Sequence, residues 1–214
     1  MDIYVDFDNT LYSTTKLKDE MLTKIAESCC AEKNELSFES VLFECKTMFC
    51  REKIYNIYEL CKFFAQKYDI NCEILIKEID NILQNGGRFV YNDSQTFLKK
   101  LKEIGEKIIL LTRTDKGNLE YQKKKVLGSG LKEYFDDIIY TTIGKSKLNL
   151  DYENSIFFDD NPTELTELCE ANAKLVVRVK REDCQYSQTE LSNKDIVEIV
   201  NLGQFGDFAK LKLI

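Results

Sequence analysis

The sequence predicts an α/β protein in which a parallel β-sheet is covered by helices on both faces and a block of helices is inserted after the first strand. Three observations carry this prediction. Short runs rich in β-branched and aromatic residues, Ile3–Val5, Ile108–Leu111, Ile138–Tyr140, Ile156–Phe158 and Leu175–Val179, alternate with helical segments, the pattern of strands buried on both faces. Residues 14–84 interrupt that alternation with continuous helical periodicity. The residues that close the strands are acidic or hydroxylic, and ligands of open α/β sheets bind beyond the carboxyl ends of the strands.

In chain order, Ile3–Val5 forms the first strand and runs into Asp6-Phe7-Asp8-Asn9-Thr10. The inserted block then shows apolar residues at i, i+3, i+4 spacing in Met21/Leu22/Ile25/Cys29, Phe38/Val41/Leu42/Cys45, Ile54/Ile57/Tyr58/Cys61/Phe64 and Leu75/Ile79/Ile82/Leu83, which predicts three or four amphipathic helices packed together. Asn85-Gly86-Gly87 stops the last helix, and Phe89-Val90-Tyr91 leads the chain away. Further helices are predicted near 94–104, 117–128 and 162–172, the last with Asn161 as N-cap, Pro162 at its first position and Glu164 in its first turn. In the segment from about residue 183 to 214, Ile196, Val197, Ile199 and Val200 fit both a helix and a short strand. The domain reading is a core of residues 1–13 and 88–214 with a helical domain of 14–87 between its two parts. There is no internal repeat, low-complexity tract or Pro/Ser-rich linker.

Composition narrows the classes of function. A chain of 214 residues, at roughly 150 residues per domain, holds one domain with a large insertion or two small ones, enough to bury a core. With 43% hydrophobic and 31% charged residues it reads as globular rather than disordered. A net charge of −7 argues against a nucleic-acid partner, which calls for a basic face; an anionic ligand must instead be held by local charge or a metal. Met1-Asp2-Ile3-Tyr4-Val5-Asp6 does not read as a signal peptide, and no apolar run approaches the ~20 residues that span a bilayer. The expectation is a cytoplasmic protein without membrane contact. The eight cysteines read as buried, reduced thiols, since Cys29, Cys45 and Cys61 sit at apolar helical positions and neither His nor a Cys-x-x-Cys pair is present to build a zinc site. The run Lys123-Lys124-Lys125 reads as the solvated face of a helix.

The strand ends carry the chemistry. Asp6 and Asp8 follow the first strand, Thr112 closes the second before Arg113-Thr114-Asp115, and Asp159-Asp160-Asn161 follows the fourth. A single Asp after a strand usually serves a turn or cap. Two pairs, each closing a buried strand, are harder to explain as turns, and four carboxylates at one edge would repel unless a hard divalent cation lay among them. Mg²⁺ takes such oxygen ligands and usually keeps waters and substrate phosphate beside them. One carboxylate could attack phosphorus and another protonate the leaving oxygen and later activate water. Phosphoryl transfer otherwise needs positioning and charge neutralisation. Thr112 could hold phosphate oxygens, and a cation could come from Lys145 or Lys147 in Gly144-Lys145-Ser146-Lys147.

These elements, in this order, resemble the haloacid dehalogenase-like (HAD) superfamily. Its first motif, Asp-x-Asp-x-Thr, is matched by Asp6-Phe7-Asp8-Asn9-Thr10; its second by Ile108-Ile109-Leu110-Leu111-Thr112; its third, a lone lysine, by Lys145 or Lys147; its fourth by Ile156-Phe157-Phe158-Asp159-Asp160. Ser129–Asp136 also resembles the family's helix end before its next strand. The resemblance spans roughly residues 1–180. It implies a Rossmann-like three-layer sandwich with a helical cap inserted after the first motif. It also implies Asp6 as nucleophile, Asp8 as general acid/base, and Mg²⁺ held by the Asp6 carboxylate, the Asp8 backbone carbonyl, Asp159 and Asp160. Thr112 and the lysine would bind the phosphoryl group; Lys145 is preferred because Gly-Lys-Ser-x-Leu looks like the family's usual context. Family dehalogenases lack a carboxylate at the position of Asp8, so the resemblance implies phosphate-ester chemistry.

The expected function is a Mg²⁺-dependent phosphatase acting on a small phosphorylated metabolite of the nucleotide or sugar phosphate class. A phosphomutase or phosphotransferase of the same fold, or a catalytically silent binding module, are the alternatives. The oligomeric state is not legible, and Arg51, Lys53, Tyr55 and Arg113 receive no role.

Overall fold

All five expected strands form, and a sixth joins them from the segment whose periodicity fits both helix and strand. The computed structural model describes residues 1–51 and 56–205, without the side chains of Cys50 and Arg51. Lys53, Ile54, Tyr55 and the segment from residue 206 onward therefore lie outside the described residues. The strands are β1 (Asp2–Val5), β2 (Lys107–Arg113), β3 (Asp137–Thr141), β4 (Ser155–Asp159), β5 (Leu175–Val179) and β6 (Val197–Ile199). They pair in the order β3-β2-β1-β4-β5-β6, every pair parallel. Strand order reverses between β3 and β4, so β1 and β4, neighbours in the sheet, flank the switch point of an open α/β fold.

The helices are α1 (Thr14–Glu32), α2 (Phe38–Arg51), α3 (Ile57–Tyr68), α4 (Cys72–Gln84), α5 (Ser94–Ile104), α6 (Leu119–Gly128) and α7 (Pro162–Glu170). Asparagine side chains cap several of them. Asn56 accepts the Tyr58 N–H at 2.9 Å, Asn71 the Glu73 N–H at 2.9 Å and Asn161 the Thr163 N–H at 3.0 Å, each satisfying a donor that the first turn leaves unpaired. The chain divides into two compact units, Met1–Thr15 with the chain from Gly87 onward, and Lys16–Gly86. Among the described residues, no helix is long and apolar enough to cross a membrane.

In the helical unit, Cys29, Cys45, Cys61 and Phe64 are fully buried. Burial, more than any neighbouring charge, pushes the Cys29 thiol up to about 11 and Cys61 to about 12, so neither is a nucleophile. All seven described cysteines are free, although Cys30, Cys72 and Cys169 are only partly buried.

In the sheet unit, Tyr4, Ile109, Leu111 and Phe157 pack with Leu165 and Leu168 of α7 in one core. The Tyr4 and Phe157 rings stack at 4.8 Å between centroids, with their planes 9° apart. The pairing of β6 with β5 is tied by Arg178, whose buried guanidinium donates to Glu198 Oε2 at 2.9 Å and to the backbone carbonyls of Thr189 and Tyr186 at 2.7 and 2.6 Å. Tertiary hydrogen bonding thus decides a segment whose own periodicity is neutral. Because Phe157 holds the β4 end of this core, Phe157→Ala should cost about 3–5 kcal/mol. The expected result is a lower denaturant midpoint with unchanged m-value.

Candidate active site

The register of β1 against β4 builds the centre of the site. Val5 lies opposite Phe158, and the Asp6 N–H donates to the Phe158 carbonyl at 2.9 Å. The side chains that leave the two strands next are therefore carboxylates side by side. Asp6, Asp159 and Asp160 are all buried and can each offer an oxygen within 4.8 Å of the others. Lys145 reaches them from a single helical turn after β3, Lys145–Lys147. Its Nζ lies 2.5 Å from Asp6 Oδ1 and 2.5 Å from Asp159 Oδ2, whereas Lys147 is exposed. The turn is held in place by α7, with Glu164 Oε2 accepting the Lys145 N–H at 2.8 Å and Glu167 the Ser146 hydroxyl at 2.8 Å. Glu164 Oε1 also accepts from Arg113 at 2.5 Å, so that half-exposed arginine at the end of β2 braces the same turn.

Three buried carboxylates face one ammonium here, and burial together with that imbalance shifts Asp6 and Asp160. Burial drives Asp6 well above the usual carboxylate range; Lys145 opposes the shift, and the charges of Asp159, Asp160 and Asp8 add to it. Burial and the charge of Asp159 push Asp160 up to about 7 against the hydrogen bond from Cys184. Burial alone would lower Lys145, but Asp159 and Asp6 hold it above its ordinary value. An all-oxygen donor set two charges short of neutrality fits a hard divalent cation such as Mg²⁺, which would offset the repulsion and keep the carboxylates ionised.

Asp8 has separate partners. Asn9 adopts a left-handed conformation with φ of 54°, which asparagine tolerates, and its N–H donates to the Tyr12 carbonyl at 2.7 Å in a tight loop. The turn sends the Asp8 carboxylate away from the cluster to Lys125 and Thr14, both donating to Oδ1. The Gln122 amide donates to Asp8 Oδ2 at 2.6 Å and to Thr112 Oγ1 at 2.8 Å. Burial works against an ionised Asp8, but Lys125 and these hydrogen bonds outweigh it and hold the carboxyl below its ordinary value. The Asp8 side chain therefore stands outside the cluster of Asp6, Asp159 and Asp160.

Lys125 corrects the reading of its run as solvated. Lys123 and Lys124 are exposed, but Lys125 is only 3% exposed. Successive helical residues turn about 100°, so three adjacent lysines cannot share one face. The signal lay in Gln122, Lys125, Val126 and Ser129, all buried and spaced as an inward helical face, polar enough to resemble a wet one. Sequence reasoning also misses Cys184, whose thiol donates to Asp160 Oδ2 at 2.8 Å from a loop beyond β5.

No protein-family profile matches the chain, and no curated protein matches it by sequence. Solved structures do match. A HAD phosphatase from Thermococcus onnurineus superposes with a TM-score of 0.62 at 17% identity, covering 100% of this chain and 99% of the other. A Thermotoga maritima protein provisionally assigned as a β-phosphoglucomutase gives 0.59 at 18% identity, with 99% of each chain covered. The chain has the haloacid dehalogenase-like fold. An L-2-haloacid dehalogenase from Xanthobacter autotrophicus matches it as well, at a TM-score of 0.57, 15% identity and 98% coverage of both chains. The HAD-like fold thus hosts several chemistries, and the site's own residues must choose among them.

The raised Asp160 has a measurable consequence for the folded chain. From about pH 4, where an unfolded carboxylate releases its proton, to about pH 7 the folded chain retains it, so stability falls as pH rises through that window. With chelator present, the thermal midpoint should drop across the window, more steeply than in Asp160→Asn. A divalent cation that binds the cluster would flatten the slope by displacing the proton. Equal slopes in the two metal-free proteins would contradict this assignment.

Proposed function

We propose that the chain is a Mg²⁺-dependent phosphatase that cleaves a small-molecule phosphate monoester in the cytoplasm through an aspartyl-phosphate intermediate. The observation that carries the reading is the different surroundings of two carboxylates on one loop. Asp6 lies against Lys145 in the Asp159/Asp160 cluster, while Asp8 is held apart by Lys125, Gln122 and Thr14. Asp6 attacks phosphorus and the ester P–O bond breaks, with Asp8 protonating the departing oxygen. Water then attacks the aspartyl-phosphate and Asp8 takes up its proton, so Asp6 is regenerated and phosphate leaves. An anionic ester beside Asp8 raises its proton affinity, opposing the pull of Lys125. Lys145 screens the phosphoryl oxygens from the carboxylates and Thr112 offers its hydroxyl to them. Asp6, Asp159 and Asp160 with the Asp8 carbonyl would hold Mg²⁺, which would supply charge neutralisation for the transferring group.

A halide leaves carbon without being protonated, so dehalogenation would give Asp8 no task. The substrate is proposed as a small phosphorylated metabolite, nucleotide or sugar phosphate in class, with the inserted helices assigned the part of a cap. Phosphate release from a panel of such esters, with Mg²⁺ and with chelator, tests the reading. Asp6→Asn should abolish turnover, and its retention near the wild-type rate would refute the mechanism. Asp8→Asn should lose ~10²–10⁴-fold. Phosphate appearing on a second hydroxyl instead of in solution would identify a phosphomutase.

A further inference from the structure

Lys125 occupies a position that stability alone does not explain. Its ammonium is buried against Asp8, with the Tyr121 and Phe7 ring centroids 5.2 and 5.9 Å away. Beside Val126 on an inward-facing helical surface, an apolar side chain would serve the core at least as well, because a buried ion pair must offset the desolvation of both charges. What the pair does is define Asp8. An ionised carboxylate has about four acceptor positions. Lys125 and Thr14 take two of these on Oδ1, and Gln122 takes one on Oδ2. One position is left from which a proton can be given or taken. The second N–H of Gln122 ends on Thr112 Oγ1 at 2.8 Å, tying that carboxylate to the hydroxyl at the end of β2.

We infer that Lys125, together with Gln122, is a positioning residue that fixes the orientation of the Asp8 carboxylate toward the leaving oxygen, an inference that rests on the reading of Asp8 as the general acid/base. Neither side chain needs to touch substrate for this role. Both act through Asp8, so their importance should track the need for protonation of the leaving group.

The test uses the full chain with Mg²⁺ and two substrates, an alkyl phosphate, whose alkoxide needs a proton to leave, and p-nitrophenyl phosphate, whose phenolate does not. Lys125→Met keeps the aliphatic stem and removes the charge. It should lower kcat on the alkyl ester about 10²-fold and on the nitrophenyl ester by less than about threefold, with KM little changed on either. Lys125→Arg should recover part of the loss, and Lys125→Met added to Asp8→Asn should cost little more than Asp8→Asn alone. Thermal unfolding reports whether each variant folds; if Lys125→Met does not, Gln122→Leu carries the same comparison. A merely structural pair would slow both esters alike. That result, full alkyl-phosphate activity in the variants, or failure of both variants to fold would overturn the inference. Wild-type protein that hydrolyses neither ester would instead remove the phosphatase reading on which it rests, a distinct outcome visible before any variant is made.

Discussion

The register between β1 and β4 is the constraint on which the rest of the site depends. A parallel ladder that sets Val5 opposite Phe158 also fixes the level at which the next residue of each strand leaves the sheet. Asp6 and Asp159 emerge together at that edge, and the backbone bond from Asp6 to Phe158 extends the pairing one step beyond the strand. A slip of one residue would turn each of these side chains to the opposite face of the sheet. The apolar core beneath resists that slip, because Tyr4 and Phe157 stack across the same two strands.

Bringing carboxylates together creates an electrostatic problem that the fold answers with two buried lysines from different elements. Lys145 enters from the turn after β3 and is shared between Asp6 and Asp159, while Lys125 enters from α6 and is given to Asp8 alone. The consequence is asymmetry between two aspartates only two positions apart. Asp6 stays in a cluster with excess negative charge, whereas Asp8 has its charge matched locally, and their proton affinities move in opposite directions. The carboxylates of α7, Glu164 and Glu167, extend the arrangement outward by holding the turn that carries Lys145.

Much of this was legible in the chain. Leu175–Val179 is a strand with the bounds its apolar run suggests, Ser94–Ile104 matches its periodicity, and Asn161-Pro162 starts α7. These succeed because strand runs and helix caps are local, encoded within a few residues. Lys125 was not legible, since whether a lysine on a mixed helix face meets water or a carboxylate depends on what the fold packs against it. Cys184 was hidden for the same reason, as its partner Asp160 lies 24 positions away.

The sequence by itself determined the alternation of strands and helices, the helical insertion, and the acidic and hydroxylic residues at the strand ends, because hydrophobic period and residue chemistry are properties of short segments. Only the tertiary structure decided that β6 is a strand, that Lys145 rather than Lys147 meets Asp6, and that Lys125 is buried against Asp8. Each of these is a long-range pairing, and its partner is chosen by sheet register and packing between elements that carry no mark of one another in the chain.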